Sequence, residues 1–239
     1  QVNDNINKSL LSLYKTGEFS TLTEVLFIER CLNLLKPGGR MGIVLPEGVL
    51  NNTNLQKVRD FVESKAKIIL ITSIPQDVFM KSGATVKPSL LFFKKFTDEE
   101  TAKWKKIAVK AKKDIDQKYS AQLAELKQLL NQKSVASDVK KKVKAEQKQL
   151  EEQIVAEIKA RIKTDFDYQI PIAQVEKAGI SSTGAVIENE LEPLAKEFTE
   201  YRLANKLWEN KFTSISYTIL DDQQIYRIPI AGEPEVFYN

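Results

Sequence analysis

The feature that most restricts how this chain can fold is a long stretch, Asp98 to Lys163, that contains neither glycine nor proline. Lys, Glu, Gln, Ala and Leu dominate it, and apolar residues recur at three-to-four spacing in two runs. This pattern is typical of helices with one apolar face. The polar segment Asn131 to Asp138 separates the runs and predicts two long helices folded back as an antiparallel coiled coil. One uninterrupted exposed helix is the alternative, because spacing alone does not fix a turn.

The region before this stretch alternates between helical and strand patterns. From Thr23 to Lys36 the apolar residues have helical spacing, and Pro37-Gly38-Gly39 then ends the helix. A short apolar run, Met41 to Leu45, follows and ends at Pro46, as expected for a strand buried on both faces of a parallel sheet. One helix–strand unit is therefore predicted here.

A second unit and a third strand follow. Asn54 to Lys65 places its apolar residues on one helical face, and Lys67 to Ile74 is rich in β-branched residues. After a loop from Pro75 to Pro88, Ser89 to Lys95 predicts the last strand. Three buried strands with intervening helices predict an α/β fold that contains about half of a doubly wound sheet.

The region after the predicted coiled coil is mixed. Phe166 to Asn189 contains proline and glycine and is irregular, and Glu190 to Leu207 predicts a helix. Near the end, Ser214 to Leu220 and Gln223 to Ile228 predict a hairpin around Asp221-Asp222. The predicted domains are 1–96 for the α/β region, 97–164 for the coiled coil, and 165–239 for a small α+β segment.

Composition excludes several kinds of site. The chain has no histidine and one cysteine, Cys31, so no internal disulfide, no usual zinc or iron site and no Ser-His-Asp triad can be built. We predict no metal. A net charge of +4 permits nucleic-acid binding without arguing for it. No apolar run could span a membrane and the first residues are polar, so a cytoplasmic protein without membrane association is expected.

The stretch from Phe27 to Asn52 contains the most informative motif. It reads as an amphipathic helix, a Leu-Lys-Pro-Gly-Gly turn, a buried strand, and a loop at the carboxyl end of that strand, where ligands bind in open α/β sheets. The helix, turn and strand resemble S-adenosylmethionine-dependent methyltransferases. The continuation Val44-Leu-Pro-Glu-Gly-Val-Leu-Asn-Asn52 resembles the modification subunits of type I restriction-modification systems, which are N6-adenine DNA methyltransferases. This resemblance implies a partial, Rossmann-like methyltransferase sheet.

A second motif, Ile74-Pro-Gln-Asp-Val-Phe79, is followed by Gly83, Val86-Lys87 and a strand. It resembles the family's Leu-Pro-x-x-x-Phe motif, with Ile74 for the leucine and Pro88 for a threonine. In enzymes with this motif order, an aromatic at the Phe79 position stacks on the adenine flipped out of the duplex. The resemblance therefore implies a target-base role for Phe79. The alternative is that Phe79 fills the core beneath a loop.

Phe27 matches an aromatic that lies against the adenine of the cofactor in the resembling enzymes. The resemblance thus implies that Phe27 contacts S-adenosylmethionine. The alternative is a helix residue that packs on the sheet. Pro46 lies at the end of the strand and is expected to shape the same cleft, with no chemical role.

A third match lies after the coil. The Glu-x-x-Gly-Ile-x-x-x-Gly segment and following helix of type I modification subunits resemble Ile170-Pro-Ile-Ala-Gln-Val-Glu-Lys-Ala-Gly-Ile-Ser-Ser-Thr-Gly184, followed by Glu190-Leu191 and Phe198-Thr-Glu-Tyr-Arg202. The family's glycine-rich cofactor turn and its Asn/Asp-Pro-Pro-Phe/Tyr catalytic motif do not occur in these 239 residues. We expect the chain to be the carboxyl-terminal part of such a subunit, starting just after the catalytic motif and inactive alone.

The resemblance implies a function and a set of partners. The full-length protein would transfer methyl from S-adenosylmethionine to the N6 of adenine in duplex DNA, within a complex with a specificity subunit and a restriction subunit. The lysine-rich stretches Lys103 to Lys113 and Lys140 to Lys148 could contact phosphates, although a partner-binding role for the coil is favoured. The alternative is a non-enzymatic module in which an α/β half-domain carries a coiled-coil arm for the assembly of a DNA-binding complex.

Overall fold

The computed structural model describes residues 11–131, 137–207, 217–221 and 224–228. The chain divides into two compact units, residues 1–188 and 189–239. The elements in chain order up to the border between the units are α1 (Thr23–Leu34), β1 (Arg40–Pro46), α2 (Glu47–Asn51), α3 (Gln56–Glu63), β2 (Ala66–Ser73), β3 (Pro88–Lys95), α4 (Asp98–Asn131), α5 (Ser137–Asp165), β4 (Ile172–Gln174), β5 (Ala178–Ile180) and β6 (Val186–Asn189).

Four strands form one sheet in the order β1-β3-β2-β4. Strand β3 lies between β1 and β2 and is antiparallel to both, whereas β4 is parallel to β2. The α/β class predicted from sequence is confirmed, but the sheet is mixed and the expected parallel arrangement is wrong. The connection between β2 and β3 contains only a 3-10 helix, Gln76–Ser82, and lacks the long crossover that a parallel neighbour requires.

Helices α1 and α3 pack on one face of this sheet. On α1 the buried side chains recur at positions 25, 28, 29 and 32, which is one face of a helix. The apolar ones among them stabilise the fold by roughly 25 cal/mol per Å² of apolar surface removed from water. The buried apolar residues of this core are Val25, Ile28, Leu32, Leu45, Val49, Val58, Val62, Ala66, Leu91 and Phe93.

Helices α4 and α5 pack side by side as a hairpin, which we call the helical arm. The structure thus has two helices in the glycine- and proline-free region, not one. Their shared interface consists of Ile115, Tyr119, Leu126, Val143, Leu150 and Ile154, all largely buried. Lys118 of α4 pairs with Glu157 of α5 at 2.9 Å, and this ion pair joins the two helices of the arm.

Helix α4 begins with a reciprocal cap. The backbone N–H of Thr97 donates to the Glu100 carboxylate at 2.9 Å, and the N–H of Glu100 donates to the Thr97 hydroxyl at 3.1 Å. Glu100 also pairs with Lys67 at 2.8 Å and Lys94 at 3.5 Å. Burial opposes ionisation of Glu100, but its hydrogen bonds to Lys67 and Thr97 prevail and lower its pKa. The cap therefore joins the start of the arm to two strands.

The segment after the arm is more regular than predicted. Within Phe166 to Asn189, where no strand was expected, β4 extends the main sheet, and β5 and β6 form a two-stranded sheet. Strands of three or four residues are too short to give a period-two pattern. A short helix, α2, likewise occupies a region predicted as loop. The division into domains 1–96, 97–164 and 165–239 stays a prediction.

The second unit contains α6 (Leu191–Ala204), β7 (Tyr217–Asp221) and β8 (Gln224–Ile228). Strands β7 and β8 pair antiparallel, with Tyr217 opposite Ile228 and Asp221 opposite Gln224. The sequence predicts a hairpin in this region, whose turn lies outside the described residues. On α6 the rings of Phe198 and Tyr201 stack with their centroids 6.3 Å apart.

Candidate functional site

The candidate site lies at one edge of the main sheet, where β1 and β2 end and β3 begins. The pairing places Pro46 opposite Pro88, and Ser73 opposite Ser89. The connection from residue 74 to residue 87 therefore starts at the carboxyl end of β2. It finishes at the start of β3, beside the carboxyl end of β1. In open α/β sheets this edge is the usual place for ligands.

Phe79 lies on the 3-10 helix of this connection, and its side chain is 37% exposed. Its carbonyl oxygen accepts hydrogen bonds from the Ser82 hydroxyl at 2.8 Å and from the N–H of Ala84 at 3.1 Å. Gly83 closes the turn with φ +87°, a conformation that favours glycine. The backbone at Phe79 is thus fixed by hydrogen bonds within the turn, and the residue is partly exposed.

Two further contacts hold the connection to neighbouring elements. The N–H of Glu47, the first residue of α2, donates to the carbonyl of Lys87 at 2.9 Å. The two side chains also form an ion pair at 3.2 Å. Within the connection, the side-chain amide of Gln76 donates to the carbonyl of Thr85. Helix α2 and the Phe79 connection consequently form one wall of this edge.

Three buried polar atoms at this edge have no hydrogen-bond partner among the described residues. They are Thr72 Oγ1, Ser73 Oγ and Asp77 Oδ1. Buried polar atoms are bonded in the great majority of cases, so these three concentrate unused hydrogen-bonding capacity just before Phe79. The end of β2 is therefore chemically distinct from the rest of the sheet.

Phe27 lies on α1 and not on the connection that carries Phe79. Its side chain is 57% exposed, whereas Val25 and Ile28 beside it are fully buried against the sheet. Phe27 is therefore more exposed than its neighbours on the apolar face of α1. An exposed ring can lie against a planar group such as a purine.

Glu29, two residues after Phe27 on α1, is a residue that the sequence interpretation missed. It is 5% exposed and accepts hydrogen bonds from the N–H of Lys15 at 2.9 Å and from the N–H and hydroxyl of Thr16 at 2.7 Å each. Glu29 thereby fastens the segment before α1 to the helix that carries Phe27. The available signal was a carboxylate on the apolar face defined by Val25 and Leu32.

The third sequence motif meets the second at the same edge. Strand β4 runs beside the end of β2 with Gln174 next to Ser73, and the N–H of Val175 donates to the Ser73 carbonyl at 3.0 Å. Two segments about one hundred residues apart in sequence are thus neighbours. The helical arm lies between β3 and β4 in the chain and is an insertion between strands of one sheet.

A cavity of about 130 Å³ lies at the opposite edge, where β2 begins. Burial raises the pKa of Tyr168 there, and the Tyr168 hydroxyl accepts a hydrogen bond from the N–H of Ile68 at 3.3 Å. This cavity belongs to the base of the arm and not to the Phe79 edge. Its lining residues are Glu63, Trp104, Ile162, Lys163, Phe166, Asp167, Tyr168 and Ile170.

In the described part of the chain, no three His, Cys, Asp or Glu side chains come together in a group that could hold a metal ion. Of the helices described, none is both long enough and apolar enough to cross a bilayer.

The chain was compared with known proteins. No curated protein shows significant similarity to it. A solved structure of a Listeria monocytogenes protein assigned to the class I S-adenosylmethionine-dependent methyltransferases matches at 23% identity and a TM-score of 0.35. That match covers 39% of this chain, which spans only 28% of the Listeria protein. The family model described as N-6 DNA Methylase matches residues 12–178, more than two thirds of the 239 residues and a range that includes the whole main sheet and the arm. The chain therefore belongs to the N-6 DNA methylase family.

Proposed function

We propose that this chain forms part of a type I modification subunit, whose full-length form methylates the N6 of adenine in duplex DNA. The observation that carries the proposal is Phe79, an accessible ring on a firmly held turn at the carboxyl edge of the sheet. A base flipped out of the duplex loses its stacking partners, and an aromatic face replaces them. The family match and the motif order support this role for Phe79.

S-adenosylmethionine is the proposed methyl donor. Of the described residues, Phe27 is the one that would lie against the cofactor's adenine, and its exposed ring fits that role. The cofactor supplies an electrophilic methyl group when bound. Glu29 would act by holding the segment at Lys15 and Thr16 against the helix on which Phe27 lies.

We also propose that the helical arm binds the specificity and restriction subunits of a type I complex in the cytoplasm. Exposed apolar side chains on the arm support this, because Val109 is 69% exposed, Val139 48% and Val155 50%. The competing possibility is a non-enzymatic module that uses the arm for assembly alone. Size-exclusion chromatography of the full-length protein with and without a specificity subunit tests complex formation, and methylation by the complex separates the two functions.

The Phe79 role is tested by Phe79→Ala in the full-length protein. Stacking contributes about 1–3 kcal/mol per base, so the variant should lose about 5- to 150-fold in methylation rate. Base flipping, measured by the fluorescence of 2-aminopurine placed at the target adenine, should fall with it. Phe79→Trp should retain both. Val86→Ala, which alters another exposed residue of the same connection, is the matched control. Unchanged methylation and flipping in Phe79→Ala would remove this role.

A further inference from the structure

The turn between β5 and β6 lies directly against the Phe79 connection. At Gly184 of this turn, a Cβ atom would overlap Lys81 Cδ and lie 2.6 Å from Lys81 Nζ. The Lys81 side chain, two residues after Phe79, therefore lies across Gly184 in the space that any other residue's side chain would occupy. Gly184 also has φ +85°, which other residues rarely adopt.

This turn is a well-formed structure with hydroxyl groups on it. The N–H of Gly184 donates to the carbonyl of Ser181 at 2.9 Å, and the N–H of Ala185 donates to the Ser181 hydroxyl at 3.0 Å. The hydroxyls of Ser181 and Thr183 lie 3.0 Å apart, and Ser182 and Thr183 are exposed. The Lys81 ammonium thus lies next to a turn whose serine and threonine residues carry hydroxyl groups.

The charge of Lys81 is not neutralised within the described structure. Neighbouring lysines are paired, since Lys87 contacts Glu47 at 3.2 Å and Lys177 contacts Glu188 at 2.8 Å. No described carboxylate forms an ion pair with Lys81. An exposed cation that lacks an internal counter-charge is suited to an external anion.

We infer that Lys81 and the hydroxyls of the 181–184 turn bind a backbone phosphate of the DNA next to the flipped adenine. Lysine and serine or threonine hydroxyls are regular phosphate partners in DNA complexes, where such contacts fix the register of the protein on the duplex. Because Lys81 follows Phe79 by two residues, a nucleotide stacked on Phe79 brings its own phosphates within reach. Lys81 is therefore a positioning residue, and the inference rests on the proposed function.

The test measures how the affinity of the full-length protein for a fluorescein-labelled DNA duplex depends on KCl concentration. Lys81→Gln should make the negative slope of log affinity against log salt shallower by about 1, the value for one lost phosphate contact. Lys81→Arg should restore the slope. Lys127→Gln, which removes the same charge from an exposed position on the arm, should leave it unchanged. An unchanged slope in Lys81→Gln, or an equal change in Lys127→Gln, would overturn the inference.

Gly184→Ala provides a second, independent arm of the experiment. It should displace the Lys81 side chain and make the salt slope shallower although Lys81 is still present. Adding Lys81→Gln should then cause no further change in the slope. Additive losses in the two variants would contradict the assigned contact. A Lys81→Gln variant that no longer binds the specificity subunit but keeps the wild-type salt dependence of DNA affinity would contradict it as well. If the wild-type protein binds no duplex or does not methylate it, the proposed function itself fails, and this result is distinct from a failure at Lys81.

Discussion

At the scale of single residues, the buried carboxylate of Glu29 shows how one side chain can fix a segment of backbone. It is 5% exposed and accepts hydrogen bonds from two backbone N–H groups and one hydroxyl. A buried donor without a partner costs about 1–3 kcal/mol. The geometry of the segment before α1 consequently depends on an acceptor at position 29.

Glu29→Gln should lower the free energy of unfolding by about 1–3 kcal/mol. A carboxamide offers one acceptor oxygen, and its NH₂ group would face N–H donors that it cannot satisfy. Urea unfolding followed by circular dichroism measures the change. Glu146→Gln, at an exposed position on α5, is the matched control and should change stability by less than about 0.5 kcal/mol. Equal stabilities for wild type and Glu29→Gln would show that the carboxylate is dispensable.

At the scale of elements, the helical arm carries a polar network beside its apolar interface. The Tyr119 hydroxyl donates to the Glu157 carboxylate and accepts from the Gln153 amide at 2.9 Å, while the Lys118 ammonium lies 2.9 Å from Glu157. Hydrogen bonds from Tyr119, then Lys118 and Gln153, lower the pKa of Glu157 to about 2. The ionised form of Glu157 is therefore favoured in the packed arm.

This shift predicts an acid-sensitive contribution to the packing of the arm. A carboxylate whose pKa is depressed on folding stabilises the folded state fully above its ordinary value of 4.5. The contribution is lost as the pH falls from about 4.5 through about 2. Thermal unfolding should show a smaller loss of stability on acidification in Glu157→Gln than in the wild type. Parallel pH profiles for the two proteins would contradict the assignment.

At the scale of the whole first unit, the arm is joined to the sheet by a cluster of aromatic rings. Phe166, which follows α5, packs edge-to-face on Phe96 at 5.3 Å and on Tyr168 at 6.4 Å. The ammonium groups of Lys67 and Lys103 lie 5.4 and 5.7 Å from the centre of its ring. One ring thus connects the end of β3, the start of β2, the arm and the segment that leads to β4.

Phe166→Ala should lower the free energy of unfolding by about 3–5 kcal/mol, because it removes a buried ring and leaves a cavity between these elements. Phe166→Leu, which fills more of the same space, should cost clearly less. Limited proteolysis should also cleave the alanine variant faster where α5 meets Phe166. A loss below about 1 kcal/mol in Phe166→Ala would show that the arm is held chiefly by its ion pairs, such as Lys159 with Asp60 at 2.6 Å.

The local features of this protein were predictable because they depend on neighbours in sequence. Helices α1, α3, α4 and α5 follow from apolar spacing, and the ends of α1 and β1 follow from Pro37-Gly38-Gly39 and Pro46. The motif around Phe79 predicted a loop between two strands, and the connection between β2 and β3 lies there. The base-stacking role of Phe79, the cofactor role of Phe27 and the supercoiling of the arm stay predictions.

By itself, the sequence determined the long helices, the three longer strands of the main sheet and the candidate aromatic residues, since periodicity, glycine and proline act over a few positions. Only the tertiary structure decided that β3 lies antiparallel between β1 and β2, that β4 rejoins the sheet after the arm, and that Lys81 rests on Gly184. The physical reason is that strand order and such contacts join residues up to about one hundred positions apart. Backbone pairing and packing select them, and no local pattern records that choice.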